Sequence, residues 1–182
     1  MGDRSVTRNC GPDLARVGAG LPVAAYRDEI TTALHGGRAV IVAPPGTGKT
    51  TFVPPLVASR CSGRVIVTQP RRVAARAAAR RLATLTGTRP GEFASHTVHG
   101  ESTTTRDTKV EFVTTGVLLR RLLSDPDLTG VDAVVLDEVH ERHLDADLVV
   151  AMVCEVAQLR DDLTIVAMSA TVDSSGLSLI HI

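Results

Sequence analysis

The stretch RAVIVAPPGTGKTT, Arg38 to Thr51, passes from an apolar β-branched run straight into a Pro/Gly-rich turn and then into a helical pattern. Strand, glycine loop and helix in that order are the context a phosphate-binding loop requires. Gly46 and Gly48 let backbone N–H groups turn inward, and the helix behind them offers the positive end of its dipole. Lys49 is placed to reach the β- and γ-phosphates of ATP, and the Thr50 hydroxyl to hold Mg²⁺, with Pro45, Thr47 and Thr51 completing the cradle. The usual pattern begins with Gly where this chain has Ala43, so a small residue is kept. A plain Pro/Gly turn is the competing reading. G-x-G-K-T-T set between an apolar strand and a helix disfavours it.

Outward from this loop, RAVIVA (38–43), GRVIVT (63–68), KVEFVTT (109–115), VDAVVLD (131–137) and LTIVAMS (163–169) read as strands, several nearly continuous in apolar residues. Such runs belong to strands buried on both faces, as in parallel sheets covered by helices. Helical patterns over 50–59, 72–85, 116–124 and 144–159 alternate with them. That alternation predicts a mostly parallel α/β sheet with helices on both faces. Residues 1–20 mix Gly, Pro, Arg and Asp without periodicity and read as a flexible lead-in.

The length of 182 residues predicts one domain. Lys+Arg and Asp+Glu are both 20, so any attraction to nucleic acid must come from local charge. Aromatic residues make up only 2% of the chain, too few for base-stacking platforms. Cys10, Cys61 and Cys154 are widely spaced and form no C-x-x-C pair, which fits a reducing compartment and excludes a disulfide framework. A polar amino terminus and the lack of any run near ~18 apolar residues predict a cytoplasmic protein with no membrane partner.

A second chemical element lies at AVVLDEVHERH, residues 133–143. Enzymes with such a loop need a carboxylate at the end of an adjacent strand, close to the loop's Mg²⁺. Asp137 follows four apolar residues and supplies it, while Glu138 is placed to act as general base on the attacking water. A zinc site fits poorly, because His140 and His143 stand at i and i+3 with no cysteine nearby. Glu141, Arg142, Asp145 and Asp147 read equally well as the solvated start of the helix over 144–159.

DEVH at 137–140 resembles the D-E-x-H box of superfamily 2 helicases, and DEVHERHLDADL the DEAH-box group. TQPRRVAARAAARRLA (68–83) is similar to that group's motif Ia, TTG (114–116) to motif Ib and SAT (169–171) to motif III. With HGES (99–102), the set looks most like bacterial HrpB-type ATP-dependent helicases over roughly residues 21–175. Val139 stands where the group's name has Ala.

The resemblance implies a RecA-like P-loop NTPase lobe of an ATP-dependent helicase acting on single-stranded nucleic acid, RNA favoured over DNA. It implies that Arg71, Arg72, Thr114 and Thr115 touch the strand's backbone and that Arg81 stacks on adenine. Ser169 and Thr171 would couple nucleotide state to the strand, and His140 would join the acidic box to motif III. Arg72, Arg76 and Arg80 recur at i+4 on one helix face and could equally be a solvated surface. Helicases of this group carry a second lobe with arginine fingers; after Thr171 only eleven residues remain, so residues 176–182 are expected to be a truncated or non-native tail. Without that lobe the chain is expected to be nearly inactive. Two rivals stay open: an AAA-type P-loop ATPase, which shares the first two motifs, and a nucleic-acid-binding module with little activity of its own.

Overall fold

The computed structural model describes residues 11–141, 143–170 and 179–181, the last three by backbone alone. Eight described strands form one sheet: β1 (Arg38–Val42), β2 (Arg64–Gln69), β3 (Ala94–Val98), β4 (Glu101–Ser102), β5 (Val110–Thr114), β6 (Val131–Leu136), β7 (Thr164–Ser169) and β8 (Leu179–His181). Their order is β4-β3-β5-β2-β6-β7-β1-β8. Every pairing is parallel except the short β3–β4 hairpin, so the carboxyl ends share one edge.

Among the described residues six helices pack on the sheet or on one another: α1 (Leu14–Gly18), α2 (Arg27–Leu34), α3 (Lys49–Ala58), α4 (Arg72–Thr86), α5 (Thr115–Ser124) and α6 (Leu144–Leu159). Side chains of a strand alternate between faces. Val65, Val67, Ala133, Val135, Val166 and Met168 accordingly pack into one core with Phe52 of α3 and Leu82 of α4. Ile66, Val134, Leu136 and Ile165 turn the other way into a second core with Leu118 of α5 and Val153 of α6. The continuous apolar runs are thus explained by burial on both faces, and the RecA-like arrangement follows. α3 is buried from Phe52 through Ala58 and carries Pro54 and Pro55 in its interior, whose missing N–H groups weaken its ladder.

Four departures from the sequence reading matter. The lead-in expected over 1–20 ends earlier, because Asp13 caps α1 by accepting from the Ala15 and Arg16 N–H groups, and Val17 is buried. α2 and the 3-10 turn Pro22–Tyr26 precede the phosphate loop. β3, spelled ASHTV, is a strand despite its polar residues: Ser95 and Thr97 hydroxyls bond Thr104, and Thr97 also donates to the buried Glu111 at 2.7 Å. Leu179–His181, expected to lie outside the domain, adds a parallel strand beside β1.

Candidate active site

β1 delivers Ala43 to the carboxyl edge, where the chain turns through Pro44–Thr47 into α3. Gly46 and Gly48 hold φ of 81° and 92°, a region L-residues avoid, so both glycines are required by backbone shape. A Cβ on Gly48 would also lie 3.0 Å from the Leu21 side chain. Leu21 and Val23, which carry no motif, support the loop, with the Val23 N–H donating to Thr47 O at 3.1 Å. Ala43 is absent from the positive-φ residues, so the glycine expected by the pattern is not needed there. The Thr47 hydroxyl closes the turn on Pro44 O at 2.9 Å.

Lys49 is 6% exposed, and its ammonium donates to Ala43 O and, at 3.2 Å, to Pro44 O. Its charge is held by the loop's own carbonyls. Thr50, the next residue, donates its hydroxyl to Asp137 Oδ2 at 2.6 Å. The loop and the acidic box therefore meet directly.

They do so across a gap the sequence reading missed. Asp137 follows β6, which is not adjacent to β1; β7 lies between them, in register Val42↔Ser169 on one side and Leu136↔Ala167 on the other. Two strand spacings separate the two ends by about 10 Å, and α3 brings Thr50 over that distance.

Asp137 is 6% exposed and ringed by donors: Thr50, Gln69 Nε2 at 2.6 Å to the same Oδ2, and the Glu138 N–H at 2.9 Å to Oδ1. Its own N–H donates to Thr68 Oγ1 at 3.2 Å. Burial pushes the Asp137 carboxyl above the ordinary range, with the Thr50 and Gln69 bonds opposing that shift. Glu138 holds a φ of 55° and is pinned by its neighbours. Its carbonyl accepts from the Glu141 N–H at 2.9 Å, and the next residue, Val139, donates to Met168 O at 3.1 Å.

His140 stands between the box and β7. Nδ1 accepts from the Ala170 N–H at 3.3 Å and lies 3.5 Å from Ser169 Oγ. A neutral ring that accepts at Nδ1 carries its proton on Nε2, and Nε2 sits 3.2 Å from Glu138 Oε2. His140 thus links Glu138 to the end of β7, which touches the phosphate loop through the Ala43 N–H to Ser169 O bond at 3.2 Å. Thr171 lies outside the described residues.

The expected strand contacts lie along the same edge. Arg71 caps α4 and is exposed, Arg72 is exposed, and Thr114 and Thr115 end β5 and open α5, with Gln69 in register with Thr114. Arg76, on the arginine face of α4, is spent on Glu101. Arg81 is exposed without a polar partner among the described residues, nine positions or about 14 Å along α4 from Arg72. Glu141, read as part of a helix surface, precedes α6 and lies 3.7 Å from the Arg71 guanidinium. Asp145 and Asp147 do occupy the first turn of α6. Gln69 was in view within TQPRR, but an amide carries no signature of its own until its partner is known.

A phosphate loop after β1, an acidic box after β6 and a connecting β7 end on one edge of a two-faced parallel sheet define a RecA-like P-loop lobe. The family model described as DEAD/DEAH box helicase matches residues 26–179, and the chain belongs to that family. It is 44% identical over 161 residues to the ATP-dependent RNA helicase HrpB of Escherichia coli (strain K12), covering 86% of this chain and 20% of that protein. It is 35% identical over 162 residues to the ATP-dependent RNA helicase HrpA of Borreliella burgdorferi, covering 87% of this chain and 20% of that protein. The crystal structure of the Escherichia coli DEAH/RHA helicase HrpB superposes with a TM-score of 0.84 at 39% identity, over 89% of this chain and 22% of that one. The chain thus spans about a fifth of the length of these relatives. Membership of this family decides against an AAA-type ATPase.

Proposed function

We propose that this chain is the ATP-binding and ATP-hydrolysing lobe of an ATP-dependent nucleic-acid helicase, with single-stranded RNA favoured over DNA because the relatives just described are named RNA helicases. The observation that carries the reading is the 2.6 Å bond from Thr50 to Asp137, which joins the phosphate loop to the acidic box.

In this reading the incoming β- and γ-phosphates take the place of Ala43 O and Pro44 O at the Lys49 ammonium. The backbone N–H groups of residues 46–50 would follow the phosphate oxygens, aided by the positive end of α3. The Thr50 hydroxyl and the Asp137 carboxylate, two hard oxygen donors already in contact, fit a Mg²⁺ ion. When bound, that ion would neutralise phosphate charge as the terminal bond breaks. Glu138 accepts the proton of the attacking water, and the His140 Nε2 proton steadies its carboxylate. Arg71, Arg72, Thr114 and Thr115 hold phosphates of the strand along the same edge, and such contacts carry little sequence preference. Arg81 would face the base, and Ser169 and Thr171 would transmit nucleotide state.

In the helicase, a second lobe would supply arginines to the transition state. Such arginines are worth roughly 10³–10⁵ in rate in other P-loop enzymes, so turnover by this chain alone would be slow. Cys61 and Cys154 are free, and no helix among the described residues is long and apolar enough to cross a membrane. The wide cysteine spacing supports a cytoplasmic setting. Titration with a fluorescent ATP analogue tests the central reading: Lys49→Ala should abolish binding, and unchanged affinity would overturn it.

A further inference from the structure

Segment 68–71 grips segment 137–141 at three points. The Asp137 N–H donates to Thr68 Oγ1 at 3.2 Å, Gln69 Nε2 donates to Asp137 Oδ2 at 2.6 Å, and the Arg71 guanidinium lies 3.7 Å from Glu141. Only the Gln69 contact is both buried, at 4% exposure, and made to the carboxylate itself.

Oδ2 of Asp137 receives two donors, Thr50 and Gln69, while Oδ1 receives the Glu138 N–H. A hydroxyl has two lone pairs besides its proton, so Thr50 can face the cation while still donating to Oδ2. The terminal torsion of Asp137 is soft, and Gln69 Nε2 adds to Oδ2 a tie from a side chain that does not itself serve the cation. With Oδ1 held by the Glu138 N–H, that tie fixes the carboxylate plane. The second lone pair of Oδ1 stays open to the cation or its waters.

Gln69 also stands where the strand contacts converge. It is two residues from Arg71 and in register with Thr114. A displacement of 69–71 by a bound phosphate backbone would reach Asp137 through one side chain.

Resting on the proposed nucleotide site, we propose that Gln69 is a positioning residue that holds the Asp137 carboxylate for Mg²⁺–nucleotide and links the strand-contacting segment to the metal. The test uses the chain with a fluorescent ATP analogue, titrated with Mg²⁺ at fixed nucleotide. Gln69→Met keeps the volume and removes the donor. Gln69→Asn keeps an amide one methylene too short to reach, and serves if the first variant does not fold.

Expected are metal-free nucleotide affinity within about twofold of wild type and a Mg²⁺ midpoint raised about tenfold, the scale of one bond to a charged group. A midpoint within about twofold of wild type, on the same scale, overturns the proposal, as does an equal loss of metal-free and metal-bound affinity, which a purely structural role would give. Asp137→Asn separates the two readings. If it loses the Mg²⁺ response while both Gln69 variants keep theirs, only the role of Gln69 falls; if wild type shows no Mg²⁺ response, the nucleotide site falls with it.

Discussion

Glu138 carries the proposed general base on a backbone with φ of 55°, and this conformation has a measurable cost. For an L-residue the left-handed region costs about 1–2 kcal/mol, and glycine escapes it while adding about 0.5–1 kcal/mol of unfolded-chain entropy. Replacing the side chain also removes the Glu138 charge, which disfavours the ionised form of Asp137, and the contact with His140 at 3.2 Å. The comparison must therefore start from Glu138→Gln, which loses the charge and keeps the strain. Relative to it, Glu138→Gly should gain about 0.5–1 kcal/mol. Glu138→Asn should gain in the same direction, because Asn tolerates this region. In a domain of this size that is a rise of about 1–4 °C in Tm, readable by circular dichroism of the ligand-free chain. If the glycine and asparagine variants melt at or below the glutamine variant, the backbone at 138 is not strained. The Glu138 carboxylate would then be placed there at no cost to stability.

Glu111 offers a pH test away from the nucleotide edge. It is 1% exposed, and burial alone would raise its carboxyl, yet bonds from Arg121 and Thr97 and the charges of Arg121 and Arg64 hold it below the usual range. A depressed folded-state value contributes stability above the unfolded value of about 4.3, lost as pH falls through the folded value. Glu111→Gln should thus cost on the order of 2–4 kcal/mol at pH 7 by urea titration, with the gap to wild type narrowing below about pH 4. A gap that stays constant with pH would refute the ion-pair account. For the strand contacts, Arg71→Ala should lower the log–log salt slope of single-stranded oligonucleotide binding by about 0.7, the loss of one phosphate. An unchanged slope removes Arg71 from the interface.

The loop and the box were legible because their chemistry needs particular residues in a row. GTGKT can hold phosphate only as consecutive backbone and side-chain groups, and LDE ends an apolar strand at the point where its charges emerge. Burial on both faces was legible in runs such as VIVT and AVVL. Strand order was not, since nothing local to LTIVAMS says that it inserts between the strands at 38–42 and 131–136. ASHTV reads as loop because its hydroxyls look solvated, and Ser102, Thr104 and Glu111, brought in by the chain that follows it, satisfy them. For a similar reason Gln69 shows no role in the sequence and Glu141 reads as helix surface. Their partners lie about seventy residues away in sequence, with Gln69 and Asp137 separated by 68 positions.

The insertion of β7 makes the separation between phosphate loop and acidic box a count of strands. Each hydrogen-bonded ladder sets one step of about 4.8 Å, so the span behaves as a ruler with two fixed divisions. Substitutions on the outer helices can soften the domain without stretching that ruler. A one-residue slip of β7 would move Ser169 by about 3.3 Å and turn it to the opposite face, breaking contact with His140 and the loop in one event. The tolerance for error at this site is accordingly digital: its dimensions are either kept or lost by a whole residue.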